Sequence, residues 1–172
     1  MSATGRALTK RHAYDAYSTP PWCTDAIARE IVWGTKPRIM EPCIGEGMIS
    51  SLLILRGITP SIQWCEIQKG RDFFELSNAE LRYDFIITNP PFGLAQEFIE
   101  KSLTLANCVV MLLRLNFLAS SKRKEFWQKH RPTAVHVLTK RPSFTGKGTD
   151  ACDYAWFVWD ATGRQKVGFH WL

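Results

Sequence analysis

This chain is poor in the features that mark metal-bound, disulfide-stapled and membrane-spanning proteins. Its five cysteines, Cys23, Cys43, Cys65, Cys108 and Cys152, are dispersed, odd in number and form no C-x-x-C pair. That spacing argues against a disulfide framework and a zinc centre, and it fits a reducing compartment. The four histidines lie far apart and make no ligand motif, so no metal is expected. No apolar run reaches transmembrane length and no signal-peptide pattern opens the chain, so no membrane partner is expected. Internal repeats and low-complexity linkers are absent. The glycine-rich segment near residue 45 is not G-x-G-x-x-G, and no lysine follows it as in a phosphate-binding P-loop.

With 172 residues, 45% hydrophobic and 22% charged, the chain is expected to form one globular domain with a full core. Residues 1–13 are small and polar and read as a mobile arm, leaving residues 14–172 as a single domain, expected to be a monomer. Seven tryptophans and ten phenylalanines are many for this length; core is the default for any one, but some fit stacking surfaces. The net charge is +6, and the excess lies in the C-terminal half: Lys122-Arg123-Lys124, Lys129-His130-Arg131, Lys140-Arg141, Lys147, Arg164 and Lys166. A basic balance points toward a polyanionic partner, although each cluster taken singly also reads as a solvated face.

Hydrophobic periodicity alternates along the chain. A helix is expected over Thr24 to Trp33, capped by Thr24, and another over Met48 to Arg56, ended by Gly57. Short strands are expected at Pro37 to Met40, Ser61 to Ile67 and Tyr83 to Thr88. Leu94 to Ala106 has helical spacing, Cys108 to Leu113 is a strand buried on both faces, and Ser121 to His130 is a basic helix closed by Pro132. Two last strands, Ala134 to Thr139 and Tyr154 to Asp160, have only a loop between them and should pair antiparallel. This order implies a mainly parallel sheet with helices on both faces.

The most informative residues are Asn89-Pro90-Pro91-Phe92, directly after the strand Tyr83 to Thr88. A polar amide is held there at the carboxyl end of a strand, the edge where open α/β sheets bind ligands. Two prolines fix the backbone and remove two N–H donors, so acceptors dominate. A planar amino group on a flat ring suits such a place: the amide and a carbonyl oxygen accept its hydrogens, and Phe92 stacks on the ring. Alone, the segment also reads as a proline-rich turn. Glu41-Pro42-Cys43-Ile44-Gly45-Glu46-Gly47 ends the first strand; its glycines permit close backbone approach, and Glu41 and Glu46 would repel phosphate. An acidic glycine-rich turn suits a cationic, phosphate-free nucleoside. Glu66, about 20 residues after the glycines, sits where an acid can accept both ribose hydroxyls, or is a surface carboxylate. Asp72 fits either a ligand contact or a helix start.

Together these segments resemble the S-adenosylmethionine-dependent amino-methyltransferases, in particular the N6-adenine DNA methyltransferases. Tyr17-Ser18-Thr19-Pro20-Pro21-Trp22 looks like their N-terminal Tyr-x-Thr-Pro motif, at the methionine end of the cofactor. Glu41-Pro42-x-x-Gly45-x-Gly47 looks like their cofactor loop, with Glu in place of the commoner Asp. Glu66 and Asp72 match the acids near the cofactor's ribose and adenine, and Asn89-Pro90-Pro91-Phe92 matches the catalytic tetrapeptide. The motif order is that of the gamma arrangement. Arg141-Pro142-Ser143-Phe144 with Tyr154-Ala155-Trp156-Phe157-Val158-Trp159 looks like small phage-encoded members, which implies the cytoplasm of a bacterium or phage-infected cell.

The resemblance implies a Rossmann-like class I methyltransferase: a mainly parallel seven-stranded sheet with an antiparallel C-terminal strand. It implies S-adenosyl-L-methionine as cofactor and methylation of a flipped-out adenine in DNA. Phe144 is then a candidate second wall of the base pocket, and Lys140, Arg141 and Lys147 candidate phosphate contacts. The tetrapeptide also resembles that of methyltransferases acting on adenine or guanine in RNA, and a variant ending in Tyr occurs in glutamine methyltransferases of release factors. The basic charge speaks against a protein substrate, and the intact tetrapeptide against a non-catalytic binding module. Members that read a defined DNA site carry a separate recognition domain, and no stretch here is long enough for one.

Overall fold

Prolines and glycines set where the elements begin and end in this computed structural model, which describes residues 18–77, 82–146 and 148–172. The arm expected over residues 1–13, Tyr17 and Lys147 lie outside the described residues. Helix α1 spans Pro21–Ala28, with Pro21 at its first position, where a missing N–H costs nothing. Thr24 therefore does not cap the helix: it lies inside it, fully buried. The expected extension to Trp33 is also corrected. The Trp33 ring folds back, its Nε1 donating to the Ala28 carbonyl at 2.9 Å and its face lying 4.7 Å from Phe85.

Strand β1 (Ile39–Glu41) leads through the glycine turn into α2 (Met48–Leu55). Gly57, at φ 70°, ends α2: its N–H donates to the Ile54 carbonyl and that of Ile58 to Leu53, which closes the last turn. Strand β2 is only Gln63–Trp64, shorter than Ser61 to Ile67, because Glu66 leaves the sheet to bridge Arg71 and starts a 3₁₀ turn. Then come β3 (Tyr83–Thr88), α3 (Ala95–Leu105), β4 (Ala106–Arg114), α4 (Lys124–Lys129), β5 (Ala134–Val137), β6 (Tyr154–Asp160) and β7 (Gly168–Trp171).

The sheet order is β2-β1-β3-β4-β6-β5-β7. Only β6 runs against the rest: it pairs antiparallel with β4 and β5, and all other pairs are parallel. The reversed strand is thus inserted between β4 and β5 rather than placed at the edge. β7 supplies the seventh strand that the resemblance implies, at a segment that no periodicity marked. Its edge position leaves Phe169 and Trp171 exposed, so it lacks the burial signature of a strand. It is held by parallel pairing to β5 and by the stacked rings of His136 and His170, 4.7 Å apart.

Two apolar layers flank the sheet. α1 and α2 cover one face through Cys23, Ile27, Ile49 and Leu53 against Phe85, Ile87, Val110, Leu112 and Trp156. α3 and α4 cover the other through Phe98, Ile99, Leu105 and Phe126 against Ile86, Val109, Met111 and Phe157. Trp156 joins layer and sheet, donating from Nε1 to the Cys23 carbonyl at 2.9 Å. Two leucines of α2 test this burial. Leu53 is 0% and Leu55 86% exposed. Leu53→Ala should lower the urea unfolding free energy by about 2–5 kcal/mol, through lost burial and the cavity left behind. Leu55→Ala should change it by less than about 0.5 kcal/mol. Equal losses would mean that α2 does not seat as described.

Candidate functional site

The parallel register places three chain turns side by side. Met40 of β1 is level with Gln63 of β2 and Ile86 of β3, so the loops after these strands meet at one sheet edge. Between them lies a cavity of about 810 Å³. It is lined by Thr19, Glu41, Pro42, Gly45, Glu66, Asp72, Asn89 and Pro91, together with Ser18, Glu46, Ile67, Lys69, Phe73, Phe74, Leu94 and Phe98 among others. Sequence-distant candidates thus share one enclosure.

Glu41 closes β1 and is 1% exposed. One carboxylate oxygen accepts the Ser50 N–H at 3.1 Å and the Ser50 hydroxyl at shorter range. Burial pushes its pKa up to about 8, against the opposing pull of those two bonds. Gly45 (φ 50°) and Gly47 (φ 77°) adopt left-handed backbone, and Gly47 starts α2. A side chain at Gly45 would meet nothing within 4 Å, so conformation rather than space calls for glycine there.

Glu66 ties the glycine turn to the next loop. Its Oε2 accepts the Gly45 N–H at 2.9 Å and its Oε1 the Gln68 N–H at 3.2 Å. Each oxygen keeps a second lone pair for another donor. Lys69 adds a bond to the Gly45 carbonyl at 3.1 Å. Asp72 caps the 3₁₀ turn Phe73–Glu75, accepting the Phe74 N–H at 2.8 Å, and also lines the cavity, so both of its readings describe it. Phe98 stacks on Phe73 at 5.4 Å and meets Phe74 edge-on at 4.8 Å. The sequence marks Phe98 only as a buried position of α3.

Asn89 follows β3. Its Nδ2 donates to Thr19 Oγ1 at 3.1 Å, across 70 residues of chain. Its Oδ1 is buried and has no hydrogen-bond partner among the described residues. Leaving such an acceptor unmade costs about 1–3 kcal/mol, which marks it as a place for a donor from outside the protein. Pro90 is buried behind the amide. Pro20 lies outside the cavity, as the residue that precedes α1.

Phe92 does not line this cavity. Its ring packs beside Tyr154 (5.7 Å), and the Arg114 guanidinium carbon lies 4.2 Å from its centre. Phe144 meets the same Tyr154 at 5.0 Å. Lys140 lies 5.4 Å from the Trp22 ring, and Arg141 pairs with Asp153 at 2.7 Å. Arg114 escaped the sequence reading, where the only signal was a lone arginine ending the apolar run of β4, and Tyr154 was read only as part of the segment Tyr154 to Trp159. Among the described residues, no three His, Cys, Asp or Glu side chains gather as a metal site, and no helix is long and apolar enough to cross a membrane.

Glu41 gives a testable pH dependence. Its folded pKa of about 8 exceeds the ordinary 4.5, so folding takes up a proton between those values. Glu41 contributes fully below pH 4.5, and its contribution falls as pH rises toward 8. The stability of the wild type relative to Glu41→Gln, read by urea unfolding, should therefore decline from pH 5 to pH 8. A difference that stays flat with pH would place the carboxylate in water.

No known protein family and no curated protein matches the sequence. Solved structures match the fold. The methyltransferase subunit of the type I restriction-modification system of Streptococcus thermophilus is 11% identical, with a TM-score of 0.58, 84% of this chain matching 45% of that one. A candidate RNA methyltransferase of Pyrococcus horikoshii is 16% identical, with a TM-score of 0.51, over 86% of this chain and 87% of that one. Precorrin-6y C5,15-methyltransferase of Geobacter metallireducens is 14% identical, with a TM-score of 0.54, over 85% and 94%. The chain spans less than half the length of the restriction-modification subunit. The fold is that of class I S-adenosylmethionine-dependent methyltransferases, and proteins acting on different substrates share it.

Proposed function

We propose that this protein transfers a methyl group from S-adenosyl-L-methionine to the exocyclic N6 amino group of adenine in DNA. The observation that carries the reading is the buried, unpartnered Oδ1 of Asn89, on a residue that lines the cavity. An acceptor without a donor suits an amine that brings its own hydrogens.

The cavity fits the cofactor on its own chemistry. Three carboxylates, Glu46, Glu66 and Asp72, line it beside the buried Glu41, which suits a cationic ligand. Glu66 would hold the ribose hydroxyls, Asp72 with Ile67 and Phe74 the adenine, and Glu41, Thr19 and the Gly45–Gly47 turn the methionine end. Bound there, S-adenosylmethionine supplies an electrophilic methyl group.

The chain's own part is to prepare the nucleophile. The lone pair of an exocyclic amine is delocalised into its ring. Asn89 Oδ1 and the Pro90 carbonyl accept the two amine hydrogens, which favours a pyramidal, more nucleophilic nitrogen. The same acceptors stabilise the positive charge that grows during attack. Thr19 fixes the amide by taking the Nδ2 hydrogen, so no reorganisation is needed at the moment of reaction. Phe92 and Phe144 offer the aromatic surface for a base taken out of its stack. Exposed Lys122, Lys124, Lys129, Arg131 and Lys140 supply the attraction for phosphates. An amine in RNA would use the same acceptors, so the assay must compare both polymers.

Radiolabelled methyl transfer to duplex DNA, single-stranded DNA, RNA and protein, followed by nucleoside analysis, tests the reading; label outside N6-methyladenine in DNA refutes it. Asn89→Ala should slow transfer a hundredfold or more, from loss of about 3 kcal/mol of transition-state stabilisation, with cofactor affinity nearly intact. Near-normal turnover would remove that role. Glu66→Ala should weaken cofactor binding in calorimetry by roughly 2 kcal/mol, the worth of charged hydrogen bonds. An unchanged dissociation constant would return Glu66 to a purely structural part.

A further inference from the structure

The Asn89 turn reaches a second cluster, whose cation, Arg114, has Asp150 nearby but beyond ion-pair distance. Arg114 ends β4 and continues the row Cys108, Val110, Leu112 that packs into the α1/α2 layer. Its guanidinium carbon lies 4.2 Å from the Phe92 ring centre, and its Nε donates to the Tyr154 hydroxyl at 3.0 Å. Tyr154 is 0% exposed and is braced by Phe92 and Phe144. The guanidinium is therefore held by two groups, the Phe92 ring and the Tyr154 hydroxyl, that are themselves packed.

Arg114 is only half-buried, yet among the described residues no carboxylate lies within ion-pair distance of it. Arg29, Arg56 and Arg141 each have one. Its terminal nitrogens make no hydrogen bond to the described residues. The guanidinium carbon rests over the Phe92 ring while the terminal nitrogens keep their donors, and a planar fork of this kind matches phosphate oxygens two at a time.

We propose that Arg114 is a positioning residue that pairs with the phosphate of the nucleotide whose base reaches Asn89. The inference rests on the nucleic-acid reading above. Phe92 lies three residues after Asn89 in one proline-stiffened turn, so the amide acceptor and the backed guanidinium keep a fixed separation. One rigid turn then holds both ends of one nucleotide: base at Asn89, phosphate at Arg114. Besides offering aromatic surface to the base, the Phe92 ring backs the guanidinium of Arg114.

The test uses the whole protein and single-stranded oligodeoxynucleotides bearing one adenine, with one phosphate at a time replaced by a neutral methylphosphonate. For the wild type, binding read by fluorescence anisotropy should weaken about tenfold or more when a phosphate adjoining the adenine is neutralised, and little elsewhere. Arg114→Met should bind the unmodified oligonucleotide more weakly by a similar factor and be indifferent to that neutralisation. Arg114→Gln keeps a donor for Tyr154 without the charge; it should behave likewise, and serves if the first variant fails to fold. An arginine that merely braces Tyr154 would leave the variants as sensitive to the modified phosphate as the wild type, and that result overturns the proposal. So does an even loss at every position in the wild type. Binding is read without methyl transfer. A wild type that shows the expected pattern yet methylates nothing sinks the catalytic reading and leaves this one standing.

Discussion

The parallel pairing of β1 with both β2 and β3 is the constraint on which everything at the site depends. Side-chain orientation along a strand has period two, so a slip of one residue would turn every inward side chain outward. Burial of Ile39 and Met40 on opposite faces, and of Phe85, Ile86 and Ile87 beside them, fixes that register. Once it is fixed, the glycine turn, Glu66 and Asn89 must emerge at the same edge. Hydrogen bonds then finish what the sheet begins: Glu66 draws the glycine turn toward β2, and Thr19 holds the Asn89 amide.

The Asn89 turn divides the sheet edge into halves that differ in charge. On one side, among the described residues, the cavity carries Glu46, Glu66 and Asp72 against Lys69. On the other stand Arg114 and Lys140, with Arg141 paired to Asp153 and Asp150 beside Tyr154. Such a division sorts ligands before any contact forms: a cation is drawn to the first half and a polyanion to the second. Asn89 and Pro91 face the acidic side, while Phe92, in the same turn, packs against the basic one. Two ligands drawn apart by charge would meet only at this turn.

Periodicity and turn chemistry made most of the sheet legible. β3 spans the expected residues, α3 lies just inside and β4 reaches slightly beyond theirs, and the antiparallel pairing of β5 with β6 follows from a connection that holds no crossover helix. What escaped has local causes. Pro21 outcompeted Thr24 for the start of α1, because a fixed φ at the first helical position needs no side-chain cap. β7 escaped because an edge strand need not bury its side chains. The cavity's motif residues were visible as motifs, since strand ends and glycines announce themselves. Phe98 and Arg114 were not, and Tyr154 only within its segment, because only the fold brings α3, β4 and β6 to the same place as the turn.

The bond between Thr19 and Asn89 also sets a polarity. Because the hydroxyl takes the amide's N–H side, what remains is oxygen, never nitrogen. An oxygen repels a carbonyl as firmly as it welcomes an amine. A nucleobase presenting a keto group there, as thymine or the six-position of guanine would, meets like against like in a place that water cannot screen. Under the proposed function, discrimination among bases would be partly a refusal, enforced by one threonine 70 residues away from the asparagine that delivers it.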